Sequence, residues 1–206
     1  MSVTKFAAFS GAAVVVTLAV TFAITQIMAP AQRFEDCIEG SVAGGNIGGP
    51  FELIDHRGQM VTDAQVLDRP ALVYFGYTFC PDVCPMDVAR NAVAVEILTD
   101  AVFKVKPVFI TIDPARDTVE YLADFVANTH PEMVGLTGTA EQIAKAARAY
   151  KVYYRKQASE DEEYYLMDHS SFTYLMLPDV GFVDFLRSDL PSEVVADRVA
   201  CVLRAS

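Results

Sequence analysis

Two cysteines that follow a continuous apolar run restrict the fold of this chain more than any other feature. Residues 71–75 predict a buried strand, because all five are apolar and Pro70 precedes them. Pro85 suits the first turn of a helix. Cys80 and Cys84 therefore lie between the carboxyl end of a strand and the start of a helix. Open α/β sheets carry their functional sites at this position.

Further apolar runs and capping signals indicate the rest of the domain. Strands that alternate with helices and end in a hairpin and a helix predict an α/β sheet covered on both faces. Besides residues 71–75, the predicted strands are residues 51–54, 60–62, 108–112, 133–136, 152–155, 172–177 and 182–186, and the first two of these form a hairpin. The predicted helices are residues 85–103, a helix that starts after Thr118, residues 139–150 and residues 191–203.

An uncharged segment precedes this domain. Residues 6–29 contain no Asp, Glu, Lys or Arg, and as a helix they would span about 36 Å, more than the roughly 30 Å of a bilayer core. Lys5 precedes the segment and Asp36 follows it, so the positive-inside rule predicts that the domain is exported. A cleaved signal peptide is the alternative, since residues 29–31 resemble a cleavage site.

The sequence thus predicts three parts: a transmembrane anchor at residues 1–29, a glycine-rich tether at residues 30–50 and one domain at residues 51–206. No arginine-rich transit peptide precedes the anchor. We therefore expect a single-pass protein of the bacterial inner membrane with its domain in the periplasm. The net charge of −11 argues against nucleic acid as a partner.

The two thiols allow three kinds of chemistry. A buried structural pair is disfavoured, because the neighbouring prolines and the helix start should expose the thiols. A thiol–disulfide catalyst usually has two residues between its cysteines, whereas three separate Cys80 from Cys84. A metal site is the third, and two soft thiolates suit Cu(I) or Zn²⁺. The helix start should also lower the pKa of at least one thiol.

Only three histidines could complete a metal site. His56 lies in a predicted turn, and His130 precedes a proline at a helix end. His169 stands between Asp168 and Ser170 before a predicted strand. Structural zinc requires four ligands in close pairs, and the chain has no second such pair. Copper with two thiolates and one imidazole fits best, although the residues alone leave the role of His169 open.

Five segments in a fixed order resemble a known family. Residues 80–85 read Cys-Pro-Asp-Val-Cys-Pro, and residues 111–118, 134–139, 147–154 and 168–170 follow. Together they resemble the SCO (SenC-like) proteins, which are membrane-anchored copper chaperones and thiol proteins of cytochrome c oxidase assembly. The resemblance implies a thioredoxin-like fold with an added N-terminal hairpin and inserts.

The resemblance also implies a site and partners. Cys80, Cys84 and His169 would bind copper as Cu(I) or Cu(II), and Asp168 would tune the site as a neighbour. The partners would be the copper-accepting subunit of cytochrome c oxidase, an upstream copper donor and a thiol reductant. A thiol–disulfide reductase or redox sensor that uses the same cysteines is the alternative, so an enzymatic role stays open.

Two cysteines lie outside the resemblance. Cys37 follows the anchor and Cys201 lies in the last predicted helix. Unused thiols in an oxidising compartment tend to pair. We therefore predict a Cys37–Cys201 disulfide, with two free thiols or a Cys37–Cys37 link between chains as alternatives.

The anchor can be tested with the full chain. A reporter fused after Ser206 should be active only on the exported side, because the uncharged segment and Lys5 fix the orientation. The chain should also stay in the membrane after a carbonate wash. Release of a chain that begins near Gln32 would contradict the anchor and support cleavage.

Overall fold

Residues 33–38, 46–161 and 164–206 are described by a computed structural model. The predicted anchor, residues 1–29, lies outside these stretches, as does part of the predicted tether. Within the stretches no helix is long and apolar enough to cross a bilayer.

Strands and helices alternate through the domain. The strands are β1 (Glu52–Asp55), β2 (Met60–Thr62), β3 (Ala71–Gly76), β4 (Lys106–Thr111), β5 (Val134–Thr137), β6 (Tyr154–Lys156), β7 (Met167–His169), β8 (Thr173–Leu177) and β9 (Gly181–Leu186). The helices are α1 (Asp63–Val66), α2 (Val83–Asp100), α3 (Val119–Ala127), α4 (Ala140–Ala149) and α5 (Ser192–Ala205).

Seven strands form one sheet in the order β2-β1-β5-β4-β3-β8-β9. β3, β4 and β5 are parallel neighbours, and the other pairs are antiparallel. Every residue of β3, β4 and β8 is buried, so the centre of the sheet is covered on both faces. This arrangement confirms the predicted α/β class and the N-terminal hairpin of β1 and β2.

Some predicted boundaries are wrong for identifiable reasons. α2 ends at Asp100 rather than near residue 103, because Val102 has a φ of 64°, which stops a helix. The strand predicted at residues 152–155 begins only at Tyr154, after Lys151 with its φ of 57°. β7 was not predicted, since a three-residue strand with two polar residues lacks an apolar alternation. It forms by pairing with β6 as a separate small sheet.

Apolar side chains gather in two buried clusters. The larger contains Phe75 together with Leu122 of α3 and Ile143 of α4. The second contains Leu98 of α2, Val199 of α5 and also Phe34, which is 2% exposed. Residues 33–38 belong to the predicted tether of residues 30–50. The burial of Phe34 shows that this part of it packs into the domain.

A disulfide and polar contacts fasten the same segment to α5. Cys37 is bonded to Cys201, the pair predicted from the unused thiols, and their Cα atoms are 5.5 Å apart. The Arg33 guanidinium donates hydrogen bonds to the carbonyls of Ala205 and Ser206. We call residues 33–38 and their contacts with α5 the N-terminal clamp.

Loss of the disulfide should destabilise the domain without affecting the thiols at residues 80 and 84. For Cys37→Ser, we expect the free energy of unfolding to fall by at most about 5 kcal/mol, the chain-entropy value for so long a loop. Denaturant titration of oxidised wild type and variant measures the difference. Added reductant should lower the free energy of unfolding of the wild type to that of the variant. Equal midpoints without reductant would contradict a formed disulfide.

Candidate metal centre

The turn between β3 and α2 carries both cysteines. β3 ends at Gly76, a turn then closes with a 3.2 Å hydrogen bond from the Cys80 amide to the Tyr77 carbonyl, and α2 begins at Val83. Cys84 therefore lies in the first turn of α2, where its side chain points back toward the end of β3. It is 2% exposed, whereas Cys80 is partly exposed.

Close packing against Gly76 fixes the Cys84 sulfur. A Cβ atom on Gly76 would lie 3.1 Å from Cys84 Sγ and 2.8 Å from a ring carbon of Tyr74. Only glycine leaves this space free while the backbone stays in the strand. The absence of a side chain at residue 76 thus allows the thiol to sit against the sheet.

Hydrogen bonds to Asp117 also hold the cysteine turn in place. Its carboxylate accepts hydrogen bonds from the amide and hydroxyl of Thr78, at 3.0 and 2.6 Å, and from the Thr111 hydroxyl at the end of β4. Burial raises the pKa of this carboxyl, and the hydrogen bonds act in the opposite direction. Asp117 therefore ties the segment two residues before Cys80 to the central sheet.

His169 reaches the cysteines from β7. Its Nε2 lies 3.3 Å from Cys84 Sγ, and its Nδ1 lies 2.9 Å from the Ser170 carbonyl oxygen. A carbonyl can only accept, so Nδ1 carries the proton and Nε2 presents its lone pair to the thiols. Metal-bound histidines commonly use this arrangement, in which the second ring nitrogen donates to a carbonyl.

Two tyrosine rings hold the imidazole in place. The rings of Tyr74 and Tyr77 stand nearly perpendicular to it, with centroids 6.3 and 5.9 Å away. The Tyr77 hydroxyl also accepts a 3.3 Å hydrogen bond from the Met167 amide, two residues before His169. Tyr77 therefore links the cysteine turn to the strand that carries the histidine.

These elements bring three ligand atoms together. The sulfurs of Cys80 and Cys84 and a ring nitrogen of His169 all lie within 4.8 Å of one another. Cys84 is buried, while Cys80 and His169 are partly exposed. The group can therefore hold one ion that solvent or another protein reaches from one side.

Electrostatics in the centre follow burial rather than the helix dipole. Burial raises the pKa of the Cys84 thiol well above its ordinary value, and the hydrogen bond from the Tyr77 backbone opposes this shift. The prediction of an exposed thiol is therefore wrong for Cys84, and Cys84 is not a thiol whose pKa the helix start lowers. Burial also lowers the pKa of His169, which keeps its imidazole neutral and able to bind a metal near pH 7.

Asp168 points away from the three ligands. Its carboxylate accepts hydrogen bonds from Arg155 at 2.8 Å and Gln157 at 2.6 Å, because successive side chains of a strand lie on opposite faces. The direct neighbour of the imidazole is instead the Ser170 carbonyl. Asp168 thus fixes β7 against β6, and its negative charge raises the pKa of His169 slightly against the larger, opposite effect of burial.

The other two histidines have separate roles. His56 Nδ1 accepts a hydrogen bond from the Gly135 amide at 3.2 Å, and His130 Nδ1 accepts one from the Glu132 amide at 3.1 Å. Neither belongs to the group of ligand atoms.

Sequence reasoning missed Asp117, Gly76 and the Ser170 carbonyl, because their contacts join segments far apart in the chain or use backbone atoms.

Comparison with known proteins assigns a family to this architecture. The sequence profile of SCO1/SenC matches residues 40–204, and protein SenC of Rhodobacter capsulatus is 48% identical over 195 residues, which cover 94% of this chain and 88% of SenC. The chain belongs to the SCO1/SenC family. It spans about half the length of the mitochondrial SCO1 homolog 1 of Arabidopsis thaliana.

Solved SCO structures share the fold. A crystal structure of Arabidopsis thaliana ScoI with copper bound is 40% identical, with a TM-score of 0.74 over 78% of this chain and 99% of that one. Bradyrhizobium japonicum ScoI with copper bound is 35% identical, with a TM-score of 0.69 over the same shares. The thioredoxin-like SCO fold that the resemblance implied is confirmed.

Enlarging residue 76 should disturb the Cys84 sulfur. Gly76→Ala places a methyl group 3.1 Å from Sγ and 2.8 Å from the Tyr74 ring, and such overpacking costs roughly 1–3 kcal/mol. We expect lower thermal stability and weaker copper binding, measured by competition titration. Gly138→Ala is the control, because the three atoms nearest its new Cβ all belong to Gln142 and none to a ligand residue. Wild-type copper affinity in Gly76→Ala would contradict this packing.

Proposed function

We propose that this protein is a copper chaperone that carries copper on Cys80, Cys84 and His169. It delivers the ion to the copper-accepting subunit of cytochrome c oxidase. The observation that carries the proposal is the meeting of two sulfurs and one imidazole nitrogen within 4.8 Å. Delivery to the oxidase rests on membership of the SCO1/SenC family.

The donor set favours copper over zinc. Two thiolates and an imidazole are soft or borderline ligands that suit copper, whereas structural zinc requires four. Among the described residues, the group contains no fourth Cys, His, Asp or Glu. Related proteins of Arabidopsis thaliana and Bradyrhizobium japonicum are described with copper bound.

Burial of Cys84 couples metal binding to a proton. Because its pKa is raised, the metal-free thiol is protonated near pH 7, and copper must displace that proton to bind the sulfur. When an acceptor removes the ion, the buried sulfur regains a proton and becomes neutral again. The partly exposed Cys80 and His169 let an acceptor ligand approach before both sulfurs have released the ion.

The same proposal places the chain in the bacterial inner membrane, with its domain in the periplasm. The Ser188 hydroxyl donates a 2.7 Å hydrogen bond to Asp87 in the first turns of α2, so α5 starts near the metal end of the domain. The 14 residues of α5 extend about 21 Å from there. The N-terminal clamp contacts the far end of α5. An anchor that precedes the clamp would let the metal centre face away from the membrane.

A second candidate function uses the same sulfurs without metal. Cys80 and Cys84 are both free thiols within reach of each other, so they can form a disulfide by passing two electrons to an oxidised protein. This chemistry would make the protein a thiol–disulfide reductase or a redox sensor that requires a thiol reductant. Copper stoichiometry of the reduced chain separates the two functions, because a pure thiol protein retains no copper.

Ligand variants provide the direct test. Cys80→Ser and Cys84→Ser should abolish the binding of one copper per reduced chain, and His169→Ala should weaken it strongly, because each removes one of three ligand atoms. Copper content after gel filtration and competition titration measure both effects. Cys201→Ser and His56→Ala are matched controls outside the centre and should keep wild-type affinity. Unchanged copper content in a Cys80/Cys84 double variant would overturn the chaperone function.

A further inference from the structure

An open groove of about 970 Å³ adjoins the cysteine turn. Phe79 and Pro81, the residues on either side of Cys80, form part of one wall. Phe79 is 44% exposed and Tyr121 of α3 is 55% exposed, and their ring centroids are 5.5 Å apart. Exposed aromatic side chains in a concave surface are typical of protein-binding sites.

The same groove carries positive charge, because Arg116 and Lys156 also line it. Arg116 and Lys156 each lie 3.6 Å from the centroid of the Tyr165 ring, which holds both cations in position. The Arg116 guanidinium is paired with Asp113 at 2.6 Å. The Lys156 ammonium has no ion-pair partner among residues 33–38, 46–161 and 164–206, and its side chain is exposed. The groove therefore offers a cation on a chain whose net charge is −11.

We propose that this groove receives the part of the copper acceptor that lies next to its metal ligands. An acidic side chain of the acceptor pairs with Lys156, and an apolar side chain packs on Phe79 and Tyr121. The inference rests on the proposed chaperone function and adds the surface that recognises the partner.

Position and charge together favour this occupant. An acceptor must bring its own ligand to the exposed edge of Cys80, and residues 79 and 81 make the groove continuous with that edge. Most of an acidic surface repels an acidic partner, so a positioned lysine beside the metal centre directs such a partner to the correct place. Packing on the aromatic pair would then keep the partner there while the ion moves.

Charge reversal of Lys156 tests the inference. The probe is the soluble, copper-free domain of cytochrome c oxidase that holds the dinuclear copper centre. We expect Lys156→Glu to weaken binding of the copper-loaded chain to this domain, and to slow copper transfer, by about tenfold at low salt, with a smaller effect at high salt. Tyr121→Ser should also weaken binding, with little dependence on salt. Both variants should keep one copper per chain.

Lys104→Glu is the matched control, since it makes the same charge change at an exposed residue just before β4 and outside the groove. If both Lys156→Glu and Tyr121→Ser bind the oxidase domain with wild-type affinity, the acceptor does not dock in the groove. The proposed chaperone function would remain. A wild-type chain that binds through the groove but keeps its copper would overturn delivery alone. Self-association that Tyr121→Ser abolishes would show that a second copy fills the groove, and would overturn the inference.

Discussion

The Cys84 sulfur is buried where β3 ends and α2 begins, 3.3 Å from the Nε2 atom of His169. An ionised thiolate is unfavourable in such a place, and burial accordingly raises its pKa. The start of a helix would lower it, but loss of hydration is the larger effect here. The sulfur is therefore a neutral thiol until a metal ion or a second sulfur replaces its proton.

Several contacts around this sulfur hold the ligands from different directions. Gly76 leaves room for it, Asp117 ties the preceding turn to the sheet, and Tyr77 contacts the strand of His169. Little of this arrangement needs to change when an ion enters, which lowers the cost of ordering the ligands. The partly exposed Cys80 forms the side from which an ion can be exchanged.

The metal centre and the N-terminal clamp lie at different ends of the domain, because α2 and α5 both run between them. The turn that precedes α5 meets the start of α2 near the metal centre, where Asp87 accepts a hydrogen bond from Ser188. The later turns of both helices join the apolar cluster that contains Phe34, and Cys201 is bonded to Cys37 there. In a membrane-anchored chain, attachment at one end would leave the metal centre and its adjoining groove free for a partner at the other.

Local sequence determined much of this protein. The apolar run at residues 71–75, the helix signal at Pro85 and the spacing of Cys80 and Cys84 predicted the strand, the helix and the placement of the thiols, because these depend on neighbours in the chain. The ordered motifs predicted the family and the thioredoxin-like fold. The two cysteines that the metal site does not use, Cys37 and Cys201, predicted the disulfide that the structure contains.

Tertiary structure alone decided the environment of the site. His169 comes within reach of Cys84 only when the unpredicted β7 pairs with β6, and its proton is placed by a backbone carbonyl that no residue type reveals. The exposure of Cys84 was predicted wrongly, because burial depends on Tyr74, Gly76 and His169 closing around the sulfur, and this burial raises its pKa. Asp168 faces Arg155 because adjacent strand residues point to opposite sides. Spacing along the chain determines which groups can meet. Tertiary packing determines how much water each group keeps, and the chemistry of the thiols depends on that hydration.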